Sequence, residues 1–167
     1  MKVIIEGKEI DLELTEKQKV VVERALRPQT GWERAVLSNK YFTVEGRGFL
    51  NSFREENKIY DDQSYDNVNY FTGSELAINI ARAQTLQRKL WRRSAELCDK
   101  TEWLNKDNDE YCIYYDYSVH SLAIGVYSCT RHFGQVYFDT KEHAEQVLEE
   151  FKDELTWYFT EFKSRMD

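Results

Sequence analysis

The sequence predicts an α+β fold of two units, each with antiparallel strands followed by a long amphipathic helix. An internal repeat is the first reason: segments 70–77 and 137–144 share the pattern Tyr-Phe, three residues, Glu, one residue, Ala. Each copy follows an aromatic stretch that resembles a strand. Each copy also opens a segment whose apolar residues recur with the period of a helix.

A chain of 167 residues forms one domain or two small ones. Its nine Phe, eleven Tyr and four Trp are enough for a folded core and argue against disorder. The net charge of −7 argues against binding to a nucleic-acid backbone, because phosphate contacts need clustered Lys and Arg. A net negative charge can simply keep the protein soluble. It can also favour binding to a partner with a basic surface, including a protein that normally binds nucleic acid.

The chain has three cysteines, Cys98, Cys112 and Cys129, without a Cys-x-x-Cys spacing. An odd set of this kind is typical of a reducing cytoplasm rather than of a disulfide scaffold. The first six residues are too few and too charged for a signal peptide. No apolar run approaches the roughly 20 residues of a membrane span. We therefore expect a cytoplasmic protein without membrane contact.

The first segment, residues 1–39, is predicted to hold a small hairpin and a short helix. The hairpin strands cover 3–5 and 10–14, and the second alternates apolar and charged residues. A capping-box pattern that begins at Thr15 predicts a helix over 16–26, which a proline ends.

The second segment, residues 40–98, is predicted to form the first sheet-helix unit. Strands over 40–45 and 48–53 come first. An acidic stretch over 55–66 follows, which we interpret as a loop or an edge strand. It leads into a short strand over 68–71.

A long helix over 75–98 completes this unit. Thr72 and Glu75 have the spacing of a capping box at its start. Apolar residues share one arc of the predicted helix: Leu76, Ile80, Ala83, Leu86, Leu90, Trp91, Leu97 and Cys98. Basic residues occupy a neighbouring arc.

The third segment, residues 99–167, is predicted to form the second unit. After an acidic turn it has three strands, over 111–117, 122–130 and 135–138. Asp139 or Thr140 caps a final helix that runs to about residue 163 and buries an aromatic-rich face. We expect the three segments to form one compact domain.

An acidic, aromatic surface is the first candidate for partner binding. On the final helix Trp157 points away from the buried face and shares a side of the helix with three glutamates. Glu154 and Glu161 lie about one turn before and after it, and Glu150 lies two turns before it. The acidic stretch adds Tyr60, Asp61, Asp62, Tyr65 and Asp66. Trp is enriched at the centres of interfaces. The alternative is that Trp157 packs under the N-terminal segment while the glutamates are simply solvated.

The basic side of the first long helix is the second candidate. Its cations are Arg82, Arg88, Lys89, Arg92 and Arg93. They could contact the phosphates of a nucleic acid or a nucleotide. The alternative is a solvated face paired with acids elsewhere, including those of the last helix.

No residue set has the pattern of a catalytic or metal site. The three histidines, His120, His132 and His143, lack the spacing of zinc ligands, and no phosphate-binding glycine motif occurs. Cys129 and His132 lie three residues apart, but nothing local would orient them as a catalytic pair. The aspartates of the acidic stretch lack the order of a calcium loop. We expect no enzyme activity, no cofactor and no metal.

Much of the second half resembles a family of small accessory proteins from phages and mobile elements of Gram-positive bacteria. The likeness covers about residues 68–163 and rests on four stretches, residues 81–90, 111–116, 131–138 and 153–159. Residues 60–77 are also similar to a motif of small phage proteins that ends in a Tyr-Phe helix start. The resemblance implies an accessory protein acting on host machinery, with anti-CRISPR proteins as one such class. It carries over no catalytic residues.

The sequence therefore favours a non-enzymatic binding protein of phage or mobile-element origin in the host cytoplasm. We expect it to inhibit a host defence or nucleic-acid-processing complex, with its acidic, aromatic surface against a basic partner. The alternative is a direct nucleic-acid or nucleotide binder that uses the basic helix over 82–93.

Overall fold

A computed structural model describes residues 2–5, 8–11, 14–26, 29–46, 48–98, 109–128 and 132–166. The described part is made of helices and small antiparallel sheets, so the predicted α+β class is confirmed. The chain divides into two compact units, residues 1–30 and residues 31–166. Residues 31–39 belong to the larger unit, and the predicted boundary at residue 98 falls inside it.

The smaller unit contains a hairpin and one helix. Strands β1 (Lys2–Ile5) and β2 (Lys8–Asp11) pair antiparallel, and α1 covers Glu16–Leu26 as predicted. The capping box is confirmed, because the backbone N–H of Thr15 donates to Gln18 Oε1 at 3.0 Å. Of the predicted second strand, residues 12–13 lie outside the described residues and Leu14 is not part of a strand; the proline after α1 also lies outside the described residues.

The larger unit begins with a hairpin of β3 (Lys40–Val44) and β4 (Leu50–Arg54). The predicted strand over 68–71 is reduced to a single antiparallel bridge between Phe42 and Phe71. This bridge ties the chain before the long helix to the hairpin.

The acidic stretch is neither a loop nor an edge strand, because residues Ile59–Asp66 form helix α2. Asp61 stabilises its start by accepting from the backbone N–H of Lys58 at 2.9 Å. At its end Val68 has a φ of 55°, and Asn69 N–H donates to the Ser64 carbonyl at 3.0 Å. Helices commonly end in this way with glycine at the left-handed position, so a valine there is strained.

Helix α3 covers Ser74–Leu97, within one residue of the prediction at each end. Its predicted capping box is wrong, because Gly73 is the N-cap and no side chain caps the helix. Its N-terminal half packs Leu76 and Ala77 with Phe71 against the β3–β4 hairpin. Leu86 and Leu90, in its second half, lie in the main core.

A three-stranded sheet supports that core, with strands in the order β6-β5-β7. They cover Glu110–Asp116 (β5), Ser121–Tyr127 (β6) and Tyr137–Phe138 (β7). The last strand therefore pairs with β5 rather than with its neighbour in sequence. Part of the predicted second strand lies outside the described residues.

The predicted final helix is two helices, α4 (Lys141–Glu150) and α5 (Lys152–Thr160). Thr140 caps α4 by accepting from the His143 N–H at 3.2 Å, as one of the two predicted caps. Phe151 has non-helical dihedrals at the break, yet it and Leu155 stay in the same core as Val147. Apolar side chains from both α4 and α5 therefore pack into the same core, although the helix breaks between them.

The internal repeat has a structural basis. Both Tyr-Phe pairs are buried, with each side chain at most 3% exposed. Phe71 bridges to β3, Phe138 pairs with β5, and each pair is followed by a helix. The repeated alanines, Ala77 and Ala144, have no exposed surface. The repeat therefore marks two equivalent strand-to-helix junctions.

Candidate functional site

Two buried carboxylates and two stacked tyrosines lie between α2 and the β3–β4 hairpin. We call this the acid–tyrosine cluster: Arg34, Tyr41, Glu55, Asp61 and Tyr70. The Glu55 and Asp61 residues are 1% and 4% exposed. The rings of Tyr41 and Tyr70 stack with centroids 4.0 Å apart and join the two halves of the cluster.

Glu55 is held by a cation and by neutral donors. Arg34 binds it with Nη2 and Nε at 3.0 and 3.1 Å, and Tyr70 donates its hydroxyl at 2.7 Å. The backbone N–H of Asn57 adds a bond of 2.9 Å. The Arg34 bonds hold the pKa of Glu55 below its usual value although the carboxylate is buried.

Asp61 has no cation bonded to it but accepts three hydrogen bonds. Tyr41 donates at 2.8 Å, and the backbone N–H groups of Lys58 and Glu56 donate at 2.9 Å each. Burial alone would raise the pKa of Asp61, but these bonds outweigh it and leave the pKa below its usual value. Burial and the bond to Asp61 raise the pKa of Tyr41 to about 12.

The acid–tyrosine cluster fixes structure and leaves little for chemistry. Within the described part of the chain, no buried side-chain nitrogen or oxygen lacks a hydrogen-bond partner. Carboxylates with depressed pKa values are poor general bases near neutral pH. The cluster therefore holds α2 rigidly on the hairpin.

A groove of about 720 Å³ opens beside the cluster. We call it the α2 groove; its walls come from β3, β4, α2 and the turns that flank α2. Its lining residues are Tyr41, Thr43, Phe53, Arg54, Glu56, Lys58, Tyr60, Asp61, Gln63, Ser64, Asn67 and Asn69. The volume falls in the range of about 300–1,000 Å³ that ligand sites occupy. Aromatic rings and side-chain amides make up half of this lining, and two cations, two carboxylates and two hydroxyl residues make up the rest.

The predicted residues of the acidic stretch divide between the interior and the surface. The prediction that Asp61 contacts a partner is wrong, because its side chain is buried and hydrogen-bonded within the protein. Asp62 is exposed but pairs with Arg34 at 2.7 Å. Tyr60, Tyr65 and Asp66 are exposed on α2, and Tyr60 is 72% exposed.

The acidic stripe, which lies at the end of α4 and along α5, pairs with part of the basic arc of α3. Lys89 pairs with Glu154 at 2.6 Å, and Arg93 pairs with Glu150 at 2.8 Å. We call these contacts, with Arg82 and Trp157, the α3–α5 seam. The sequence argument offered such pairing as the alternative for the basic arc, and the structure has it.

The prediction that Trp157 forms part of a partner-binding surface is also wrong, because the residue is only 9% exposed. The guanidinium of Arg82 lies over one face of the ring, and Phe162 contacts it with centroids 5.8 Å apart. Arg82, despite this contact, is exposed, as are Arg88, Arg92 and Glu161. The two predicted arcs therefore do not form a single uncompensated charged surface.

Four members of the acid–tyrosine cluster are not identifiable as site residues from the sequence: Arg34, Tyr41, Glu55 and Tyr70. Their contacts join residues 15 to 35 positions apart, for example Tyr70 with Glu55 and with the Ala35 N–H. The one signal in the sequence is Asp61, three residues after the N-cap Lys58, but lysine is not a preferred cap residue.

Two other features lie outside the α2 groove. An apolar crevice of about 230 Å³ opens beside the main core, with Phe133 at its edge, and it is smaller than ordinary ligand sites. Cys98, Asp139 and His143 form a Cys–Asp–His cluster where α3 ends and α4 begins.

Comparison with known protein families, with curated proteins and with solved structures finds no significant match to this chain. Among the described helices, none combines the length and the apolar character that a membrane crossing needs.

Proposed function

We propose that this protein is a non-enzymatic binding protein whose contact surface is the α2 groove with its exposed rim on α2. The observation that carries the proposal is the rigid, amide- and aromatic-lined groove of about 720 Å³ beside the exposed Tyr60 and Asp66. A rigid groove favours binding, because its side chains lose little conformational entropy when a partner docks.

An extended, basic protein segment fits the chemistry of the groove. Gln63 and Asn67 offer exposed amides that can pair with a peptide backbone. Tyr60 and Phe53 offer rings for the long stems and charged heads of Arg and Lys. The net charge of −7 would draw such a segment in from solution.

The wider role that we propose is inhibition of a host defence or nucleic-acid-processing complex. Its support is the acidic net charge and the resemblance to phage accessory proteins. In this role the protein would occupy a basic channel of the partner and exclude nucleic acid from it.

The alternative, direct binding of nucleic acid by α3, has less support. Lys89 and Arg93 are paired within the α3–α5 seam, and Arg82 lies against Trp157. Arg82, Arg88 and Arg92 are exposed, which is few cations for a phosphate backbone.

The test is affinity capture from a Gram-positive host lysate, followed by association kinetics with the purified partner at several salt concentrations. We expect Tyr60→Ala to speed dissociation, and Asp66→Lys to slow association and flatten its salt dependence. Asp153→Lys, an equal charge change on α5, is the matched control and should have a smaller effect. Unchanged kinetics in both groove variants would overturn the proposed surface. Salt-dependent binding to DNA would favour α3.

A further inference from the structure

We propose that Cys98, Asp139 and His143 form a binding site for one zinc ion, in a place independent of the α2 groove. The side chains offer one sulfur, one oxygen and one nitrogen ligand, all within 4.8 Å of one another. This donor set is one that Zn²⁺ accepts, and three protein ligands leave a fourth position for water. The expectation of a chain without metal is thereby revised.

The backbone places these ligands by ordinary helix chemistry. Cys98 is the C-cap of α3, and its N–H donates to the Ser94 carbonyl at 2.9 Å. Asp139 and His143 are one helical turn apart on either side of the α4 cap, so their side chains meet. The sequence argument missed the set because Cys98 is distant in sequence from the other two.

The end of α3 is tied by a buried contact to β7, the strand that leads into α4. Ser94 Oγ donates to the Tyr137 carbonyl at 2.8 Å and lies 3.8 Å from the Cys98 sulfur. The three ligands therefore sit on well-anchored segments, as a metal site needs for affinity.

The three ligand atoms must shift slightly relative to one another before they can bind the ion. In a tetrahedral site with bonds of about 2.0–2.3 Å, ligand atoms lie about 3.3–3.8 Å apart. His143 Nδ1 now lies 2.6 Å from Asp139 Oδ1, so the ring must move outward. Its side chain is 31% exposed, which leaves room for that motion and for entry of the ion.

Binding displaces protons from the ligands. The thiol of Cys98 gives up its proton to solvent, because the thiolate is the form that binds metal. If Nδ1 of His143 is the ligand, the ring proton resides on Nε2. Burial raises the pKa of the Cys98 thiol, and the backbone N–H of Asp139 offsets this only in part, so the bound ion must itself drive the deprotonation.

Harder and softer ions fit less well. Ca²⁺ and Mg²⁺ require sets of oxygen ligands, and Cu⁺ prefers more sulfur. Co²⁺ is therefore the useful probe, since it takes zinc geometry and absorbs visible light.

The experiment titrates the reduced, chelator-treated full-length protein with Co²⁺ and then with Zn²⁺. We expect one equivalent of Co²⁺ to produce a thiolate-to-cobalt absorption band, and Zn²⁺ to abolish it. Cys98→Ser and His143→Gln should each lose the band, with folding checked by circular dichroism. His120→Asn, a change of a histidine elsewhere, should keep it.

A second measurement uses the protein without substitutions, so its result does not depend on whether a variant folds. Zn²⁺ should slow alkylation of Cys98, measured by peptide mass spectrometry. Absence of the cobalt band, a band that persists in Cys98→Ser, or alkylation of Cys98 unaffected by Zn²⁺ would each overturn the site.

Discussion

The guanidinium carbon of Arg82 lies 3.7 Å from the ring centroid of Trp157. Each residue had been a candidate for a different surface, Arg82 for nucleic acid and Trp157 for a basic partner. Their contact helps to bury the Trp157 ring, which is 9% exposed, whereas Arg82 remains exposed while its guanidinium lies on that ring. It also stabilises the packing of α3 on α5, since a cation over an indole face is attracted to it.

Trp157→Ala should therefore destabilise the fold. The loss of a buried indole leaves a cavity, and we expect about 3–5 kcal/mol in the free energy of unfolding. Urea denaturation followed by circular dichroism measures the change. Trp91→Ala is the matched control, because Trp91 lies on α3 with 55% of its surface exposed. A similar loss in both variants would contradict the burial of Trp157.

The Lys89–Glu154 pair should contribute weakly to stability. Both side chains are more than one third exposed, so water and salt screen the attraction. A double-mutant cycle with Lys89→Met and Glu154→Gln should give a coupling of about 0.2–1 kcal/mol. The coupling should fall as NaCl is added. A coupling that does not change with salt would mean that the pair is shielded from solvent.

Glu55→Gln should weaken the fold most at neutral pH. Glu55 has a depressed pKa, so its contribution is present above the ordinary value of 4.5 and is lost as the pH falls through the folded-state pKa. We expect the variant to be less stable at pH 7 by about 1.5–3 kcal/mol, and the difference to shrink below about pH 4.5.

Unfolding free energies by urea denaturation at several pH values measure that difference. Glu149→Gln, on the exposed side of α4, is the control and should stay within about 0.5 kcal/mol of the parent throughout. A difference between Glu55→Gln and parent that is the same at acid and neutral pH would contradict the assigned ionisation.

Val68→Gly should stabilise the protein. A β-branched residue at a φ of 55° is strained, and Val68 is 64% exposed, so little packing is lost. Relief of strain exceeds the entropy cost of glycine, and we expect a gain of about 0.5–1 kcal/mol. Val36→Gly, at a similarly exposed valine without positive φ, should instead lose stability. Thermal unfolding compares the two.

The local elements of the fold were largely predictable, because they depend on short-range patterns. Helix α3 follows from its apolar period, and α1 follows from the cap at Thr15. Helix α2 was not predicted, since Ile59 and Tyr60 are exposed and its apolar pattern is weak. Its stability comes from contacts of Asp61 with other parts of the larger unit.

The candidate site was only partly predictable for the same reason. Tyr60 and Asp66 could be selected as exposed polar and aromatic residues, but the role of Glu55 depends on Arg34 and Tyr70, which only folding brings near. The break at Phe151 was also missed, because the apolar period continues through it.

Helix α3 is 24 residues long and carries side chains of two hydrophobic clusters, Leu76 in one and Leu86 in the other. At 1.5 Å per residue it spans about 36 Å. Unfolding of either cluster would remove packing contacts from the same continuous helix. We therefore expect the β3–β4 hairpin and the three-stranded sheet to unfold in one cooperative transition, with the slowest amide hydrogen exchange of the larger unit in the middle of α3.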